Sequence, residues 1–314
     1  MRHSESLRTG VLRVVDGLRI PVSPSTSMRS LVAGDGTVVK VSLDVQITST
    51  RRSMSLATAR NGPGLSVLVE ELLAGTGMML AEYAGAGARL EASERDVTAL
   101  LRRGLGGIVA HGEVAVPATA LPAMCPFTGR AIVSMLVDES GLGQEGFLAE
   151  YAAILLGPVM RLSAHGMGLE AHLQNCVPVF VSGRPVRMVF RDLGGVRLHA
   201  GRLADGGHEV RLWPGSVTAT DRIADMHAKV IYTVFANHLA AIVEALGLGK
   251  EGWDVIAEAV RAASGPLLED TRLAAAAAED LTAVTARPWA YKALLTMRLR
   301  GGDVYVPVDN PLAS

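Results

Sequence analysis

Apolar and polar positions alternate most cleanly between residues 39 and 48, where Val39, Val41, Leu43, Val45 and Ile47 are separated by Lys40, Ser42, Asp44, Gln46 and Thr48. A period of two predicts a strand with one apolar and one polar face. The run Val32-Ala33-Gly34-Asp35-Gly36-Thr37 before it reads as a glycine turn from an earlier extended segment. With that turn centred near Asp35, Ser30 falls opposite Lys40, and the Ser-rich stretch from Ser23 to Ser30 lies beside the polar face. Helical spacing governs 65–82 and 94–104, whereas Pro117, Pro122 and Pro126 mark an irregular connection before a strand expected from Ala131 to Val137.

From Glu145 the pattern changes to a strongly apolar helix through Leu148, Tyr151, Leu155 and Leu156, and helices are expected at 222–246, 251–263, 267–280 and 288–299. A β-rich insert from about Cys176 to Leu212 interrupts this half, with turns at Ser182-Gly183-Arg184-Pro185 and Gly206-Gly207. The chain therefore reads as an α+β protein with a boundary near residue 140. Residues 1–140 form a sheet-bearing domain with helices, and 141–314 form a mainly helical domain with a β-hairpin insert.

At 314 residues, 49% hydrophobic and 19% charged, the sequence can bury a large core. The 30 basic and 31 acidic residues are spread along it, so no basic face points to a nucleic acid or a membrane, and an anionic ligand must be met by local charge. Cys125 and Cys176 are the only cysteines, too few for a zinc or iron–sulfur cluster or a disulfide framework. Together with a charged start that lacks the apolar core of a signal peptide, this sets a cytoplasmic location as the expectation.

Candidate chemistry gathers in two places. The first is Glu170-Ala171-His172-Leu173-Gln174-Asn175, followed by strand, turn, strand and Arg191-Asp192. A hairpin turn centred between Gly183 and Arg184 would set Asn175 opposite Asp192, so that two oxygen donors meet at its open end. Either they hold Mg²⁺, which takes one or two such ligands and completes its shell with phosphates and water, or they cap the hairpin ends. Geometry alone leaves both open. An Asn, hairpin, Asp order also occurs in kinase-like folds, which makes ATP the natural ligand. His172, taken alone, reads as a hydrogen-bonded core histidine; the flanking Glu170 and Gln174 concentrate polar groups that would be hard to bury without a ligand.

The second place is Ser23 to Arg29, then Lys40, then Thr48-Ser49-Thr50-Arg51-Arg52. Hydroxyls and turn amides can donate to phosphate oxygens while Arg and Lys neutralise them. No Walker-type glycine loop is present, which argues against P-loop chemistry but not against ATP.

Ser25-Thr26-Ser27-Met28-Arg29, Lys40 to Asp44, Ile47 to Arg51, Gly168 to Asn175 and Arg191-Asp192-Leu193-Gly194-Gly195 together resemble the IucA/IucC family of NRPS-independent siderophore synthetases. Lys229 to His238 and Lys292 to Leu299 resemble its later blocks, in the family's order. The resemblance implies a hand-like architecture of thumb, fingers and palm with a kinase-like cleft for ATP and Mg²⁺. It implies adenylation of a carboxylate, often citrate or a dicarboxylic half-acid, then acyl transfer to an amine or alcohol. Carried over, Ser25, Ser27, Arg29, Lys40 and Arg51 hold phosphates or the carboxylate from the fingers. Glu170, His172, Gln174, Asn175 and Asp192 face them from the palm, with Asn175 and Asp192 as Mg²⁺ ligands and His172, Lys40 and Arg51 as catalytic candidates. The family's Gly-His-Pro-type motif has no counterpart before Ser23, so the thumb is expected to be absent, and a homodimer or completion by a second chain is expected. The alternatives are a kinase-like phosphotransferase and a non-catalytic or partner-dependent nucleotide- or siderophore-binding subunit.

Overall fold

The computed structural model describes residues 13, 15–25, 27–43, 45–47, 50–73, 75–89, 95, 97–300 and 304–313. Its first half centres on an antiparallel sheet of five strands, β1 (Val22–Pro24), β2 (Ser30–Ala33), β3 (Val38–Val41), β7 (Glu82–Gly87) and β8 (Thr98–Arg102), ordered β1-β2-β3-β8-β7. Ser30 pairs with Lys40 across the Asp35 turn, as the turn geometry predicts. The expected long strand breaks after Val41 and resumes as the short hairpin β4 (Gln46–Ile47) and β5 (Thr50–Arg51). Asp44, Thr48 and Ser49, part of the predicted pattern, lie outside the described residues, as does Thr26.

Two expectations here are corrected. The helix expected at 94–104 is strand β8, where Thr98, Leu100 and Arg102 are buried and Ala99 and Leu101 are not, a period of two rather than of 3.6. The helix expected at 65–82 begins earlier, as α1 (Leu56–Leu73), and is followed by β6 (Met78–Met79) and β7. The absence of a side chain at Gly85 is what lets β7 lie on α1, because a Cβ there would stand 1.7 Å from the Ala59 carbonyl oxygen.

After β9 (Val114–Ala115) come α2 (Ile132–Ser140) and α3 (Gly143–Ala164), either side of the expected boundary. The strand expected at 131–137 is thus helix α2. Its β-branched residues mislead, but buried Val133, Leu136 and Val137 stand at helical spacing, and Gly141 closes it with φ +67° and an N–H to the Val137 carbonyl. Helix α3 is the only described helix long and apolar enough to cross a membrane, and most of it is buried in the core. Phe147, Leu148, Tyr151, Leu155, Leu156 and Leu162 pack there with Leu65, Val69, Leu72 and Leu73 of α1, so the core is continuous across residue 140. Each such side chain contributes about 1.5–3 kcal/mol when fully buried.

The hairpin insert is β11 (Cys176–Val181) and β12 (Arg184–Phe190), joined by Ser182 and Gly183 at φ +46° and +73°, the backbone signature of a tight two-residue turn. It lies in a mixed sheet ordered β6-β12-β11-β9, with β6 parallel to β12. A second mixed sheet joins β10 (Met167–Gly168), β13 (Arg197–His199) and β14 (Ala219–Thr220). Between them in the chain, α4 spans Ala200–Asp205.

The helix expected at 222–246 is present as α5 (Ile223–Val230), a π-helical stretch Ile231–Leu239 and α6 (Ala240–Ala245). Those expected at 251–263 and 267–280 are α7 (Lys250–Glu269) and α8 (Ala274–Thr285). The helix expected at 288–299 is instead strand β15 (Trp289–Lys292) followed by the short helix α9 (Leu294–Arg300); β15 pairs with β16 (Tyr305–Val308), a partner no local pattern reveals.

Candidate functional site

The polar face of β3 points at the end of the β11–β12 hairpin. Lys40 is only 3% exposed, and its ammonium is paired with the Asp192 carboxylate. Asp192 holds this position through a left-handed backbone, φ +72°, that few residues other than glycine adopt; its Oδ1 accepts the Gly194 N–H at 3.0 Å. Around this pair lie two adjoining cavities of about 210 and 310 Å³, both lined by Arg29, Arg52, Gln174, Asn175 and Asp192. The smaller adds Ser25, Ser27, Arg102 and Arg191, and the larger adds Lys40, Arg95, Glu170 and His172.

The expected register is corrected by one residue. The tight turn is centred between Ser182 and Gly183, pairing Val181 with Arg184, and a bulge between Val179 and Phe180 shifts the ladder so that Cys176 faces Phe190. The Asn175 carbonyl consequently receives the Arg191 N–H at 3.0 Å, and Asp192 lies one residue beyond. Both predicted oxygen donors still line both cavities. Asn175 Nδ2 donates to the Glu170 carbonyl at 2.9 Å, which fixes the orientation of the amide and makes Oδ1 its acceptor end.

Ser25 Oγ accepts the Ser27 N–H at 3.2 Å, folding the Ser-rich segment into a local turn, and Arg29 donates to the Ser53 carbonyl at 3.0 Å. Burial lowers the pKa of Arg29. Arg51 lies in β5 opposite Gln46; its side chain is outside the described residues. Glu170 is paired with Lys229 at 2.9 Å. Burial lowers the pKa of His172, opposed by the nearby Glu170 and Asp192 carboxylates, and so favours the neutral ring near pH 7.

Glu82, Arg102 and Lys229 join this neighbourhood although no sequence pattern placed them there, whereas Arg191 was expected beside Asp192. The first two fell in or beside segments expected to be helical, and only the alternation Thr98, Leu100, Arg102 could have flagged a strand. Glu82 is 2% exposed, and its Oε2 makes no hydrogen bond. Burial first, then repulsion from Asp192, pushes its pKa up to about 7 against the pull of Lys40 and Arg102. Burial would raise the Asp192 carboxyl too, but Lys40, by charge and hydrogen bond, and Arg102 hold it well below the usual carboxylate range.

Guanidinium and ammonium groups from Arg29, Lys40, Arg52, Arg95, Arg102 and Arg191 thus converge on a cleft with few carboxylates, an arrangement that can draw two anions together. Among the described residues no three His, Cys, Asp or Glu side chains are grouped to hold a metal ion. A donor set of one amide and one carboxylate still fits a cation that takes most of its ligands from phosphate and water.

The IucA/IucC family model matches residues 2–123, and a model described as ferric iron reductase FhuF-like transporter matches residues 145–305. Staphyloferrin A synthase of Staphylococcus aureus is 26% identical over 291 residues, covering 87% of this chain and 48% of its own length. D-ornithine–citrate ligase of the same organism is 23% identical over 316 residues, with the same 87% and 48%. The chain spans about half the length of these curated relatives. Among solved structures, the petrobactin biosynthesis protein AsbB of Bacillus anthracis superposes with a TM-score of 0.83 at 19% identity, over 99% of this chain and 56% of AsbB. ATP-bound aerobactin synthetase IucA of Klebsiella pneumoniae does so with 0.79 at 20% identity, over 99% and 58%. The fold is the one these synthetase structures contain.

Proposed function

The chain belongs to the IucA/IucC family of NRPS-independent siderophore synthetases, with a FhuF-like second half, and from that premise we propose that its cleft binds ATP and activates a carboxylate for condensation with an amine or alcohol. On this reading residues 1–140 act as fingers and 141–314 as palm. The observation that carries it is the Lys40–Asp192 pair between the two cavities, which sets a phosphate-neutralising cation beside a carboxylate suited to a metal. The name of the ATP-bound relative supports the nucleotide, and that of D-ornithine–citrate ligase supports a citrate-type acid and an amine.

In the first step a carboxylate oxygen of the acid bonds to the α-phosphorus of ATP while the bond to the bridging oxygen of pyrophosphate breaks. Arg29, Lys40, Arg51, Arg52 and Arg102 would offset the repulsion between the two anions and the charge gathering on the leaving pyrophosphate. Ser25 and Ser27 would donate to phosphate oxygens. Asn175 and Asp192 would hold Mg²⁺, which supplies further charge neutralisation on the phosphates when bound. In the second step the nucleophile attacks the acyl carbon, AMP leaves, and a proton must be taken up. His172, favoured as the neutral ring by burial, suits that role better than Glu170, which is tied to Lys229. Such an enzyme would work in the cytoplasm, where ATP is supplied.

The test is incubation with ATP, Mg²⁺, citrate or another polycarboxylic acid, and a panel of amines and alcohols, scored for AMP and pyrophosphate. Acid-dependent pyrophosphate release that disappears in Lys40→Ala and in Asp192→Ala is expected. Release of ADP instead would identify a phosphotransferase and reject the reading.

A further inference from the structure

We propose that His238 is a positioning residue for the ligand-facing segment Glu170–Asn175, holding it through a buried relay that runs from Tyr151 to the Ala171 carbonyl. Both side chains are fully buried. His238 Nδ1 lies 2.9 Å from the Ala171 oxygen, and Nε2 lies 2.6 Å from the Tyr151 hydroxyl. A carbonyl can only accept, so Nδ1 carries the proton; Nε2 is then a lone pair, and Tyr151 donates to it. Every polar atom of the relay is satisfied with the imidazole neutral, and burial, which pushes its pKa down to about 4, keeps it so.

Ala171 sits between Glu170 and His172, two of the side chains lining the larger cavity. Asn175 ties down the carbonyls on either side, its Nδ2 bonding to Glu170 O and its N–H to His172 O, both at 2.9 Å. His238 fixes the one between them. The same helical element meets this stretch of chain at two further points, Lys229 on the Glu170 carboxylate and, just before the segment, Thr233 Oγ1, which donates to the Lys229 carbonyl at 2.8 Å and lies 3.4 Å from the Leu169 carbonyl.

The π winding of Ile231–Leu239 explains how one element makes all three contacts. Lys229 and Thr233 are four residues apart, one turn of an α-helix. His238 is five beyond Thr233, and in an α-helix it would point about 140° away. A π turn, with its i→i+5 bonding, returns residue 238 to the same side. The wide turn thus places the histidine under the ligand-facing segment.

The proposal rests on ATP being the ligand of that cleft, and its test separates the two. ATP dissociation constants and melting temperatures are measured for the wild type, His238→Leu, His238→Asn, Tyr151→Phe and the double variant His238→Leu/Tyr151→Phe, with hydrogen exchange at the Asn175 amide. His238→Leu should weaken ATP binding at least tenfold. The double variant removes the stranded hydroxyl and should regain melting temperature without regaining affinity. His238→Asn, which keeps a donor at the Nδ1 position, should bring affinity back to within about threefold. Tyr151→Phe should lower the melting temperature while costing less than threefold in affinity. Affinity that merely follows melting temperature across the set, or wild-type binding in His238→Leu, overturns the proposal. If His238→Leu does not fold, the double and Asn variants decide. If the wild type binds no ATP, the functional reading fails while exchange still decides: about tenfold faster exchange at Asn175 in the double variant supports the relay, and an unchanged rate overturns it.

Discussion

Lys40 and Asp192 form an ion pair across 152 positions of sequence, the lysine from the third strand of an antiparallel sheet and the aspartate from a left-handed residue just past a hairpin. The lysine is nearly inaccessible, whereas the Asp192 side chain keeps about a quarter of its surface, 24%, open to the cavities. The pair therefore stores a cation and an oxygen ligand side by side, each close enough to exchange its partner for a phosphate or a metal.

Removing the cation should expose that arrangement. Lys40→Met leaves Asp192 among fewer positive groups, so its carboxyl should rise toward the ordinary range. A depressed carboxyl contributes stability above its unfolded pKa and loses it as pH falls through the folded value. The wild type should lose that contribution in acid, and Lys40→Met should lack it at neutral pH, unfolding more easily in urea at pH 7 by about 3 kcal/mol, the low end for a buried pair because Asp192 is partly exposed. ATP affinity should fall at least a hundredfold by calorimetric titration; an unchanged affinity would remove Lys40 from the site.

Glu82 and His238 pull the pH dependence in opposite directions. With the Glu82 pKa raised to about 7, the unfolded chain loses this proton first, so stability falls from about pH 4.5 to 7. With the His238 pKa lowered to about 4, the unfolded chain holds the extra proton below its ordinary value of 6.5, so stability rises from about pH 4 to 6.5. Each spans about 3 kcal/mol at most, and where they overlap they largely cancel. Glu82→Gln should uncover the rising limb. Urea unfolding between pH 4.5 and 8 checks this, and identical profiles for wild type and variant would contradict the burial assigned to Glu82.

What the sequence made legible follows the range of the forces involved. The Ser30–Lys40 pairing and the apolar helix from Glu145 were readable because a turn or a periodic face sets each locally. Arg102 was not, since β8 alternates over only five residues and its neighbours β3 and β7 come from other parts of the chain. Asn175 and Asp192 were correctly brought to one hairpin end but one residue out of step, because a bulge at Val179/Phe180 carries no sequence signal as strong as the Ser182-Gly183 turn. The π stretch was hidden inside an ordinary helical pattern, and with it the role of His238.

A variant at a residue that lines neither cavity separates stability from binding. Arg202, buried in the second half, donates to Asp280 and Glu279 at 2.7 Å and to the Ser163 carbonyl at 2.9 Å, joining α4 to α8 and α3. Arg202→Met leaves the buried Asp280 carboxylate with His227 as its neighbour at 2.7 Å. Breaking such a buried pair costs about 3–5 kcal/mol. Chemical unfolding should record that loss, while ATP affinity measured well below the new melting temperature stays within about twofold.

Gly195 tests whether the Glu170 carboxylate must stand where it does. A Cβ at Gly195 would fall 1.8 Å from Glu170 Oε2 and 2.4 Å from its Cδ, so no side chain fits while Glu170 stays paired with Lys229. Glu170 is long and can swing aside, so Gly195→Ala should fold with a stability loss of about 1 kcal/mol, close to what one partly exposed ion pair contributes. Glu170, which lines the larger cavity, is then displaced from Lys229, and turnover should fall by at least tenfold. In Glu170→Ala/Gly195→Ala the clash is gone. Its melting temperature should match that of Glu170→Ala alone, because the two positions act through one contact and their effects are not additive. Comparing melting temperature and pyrophosphate release across the three variants checks this. Full activity in Gly195→Ala would mean that the Glu170 carboxylate has no fixed place in the reaction, and that the glycine serves only the backbone path beyond Asp192.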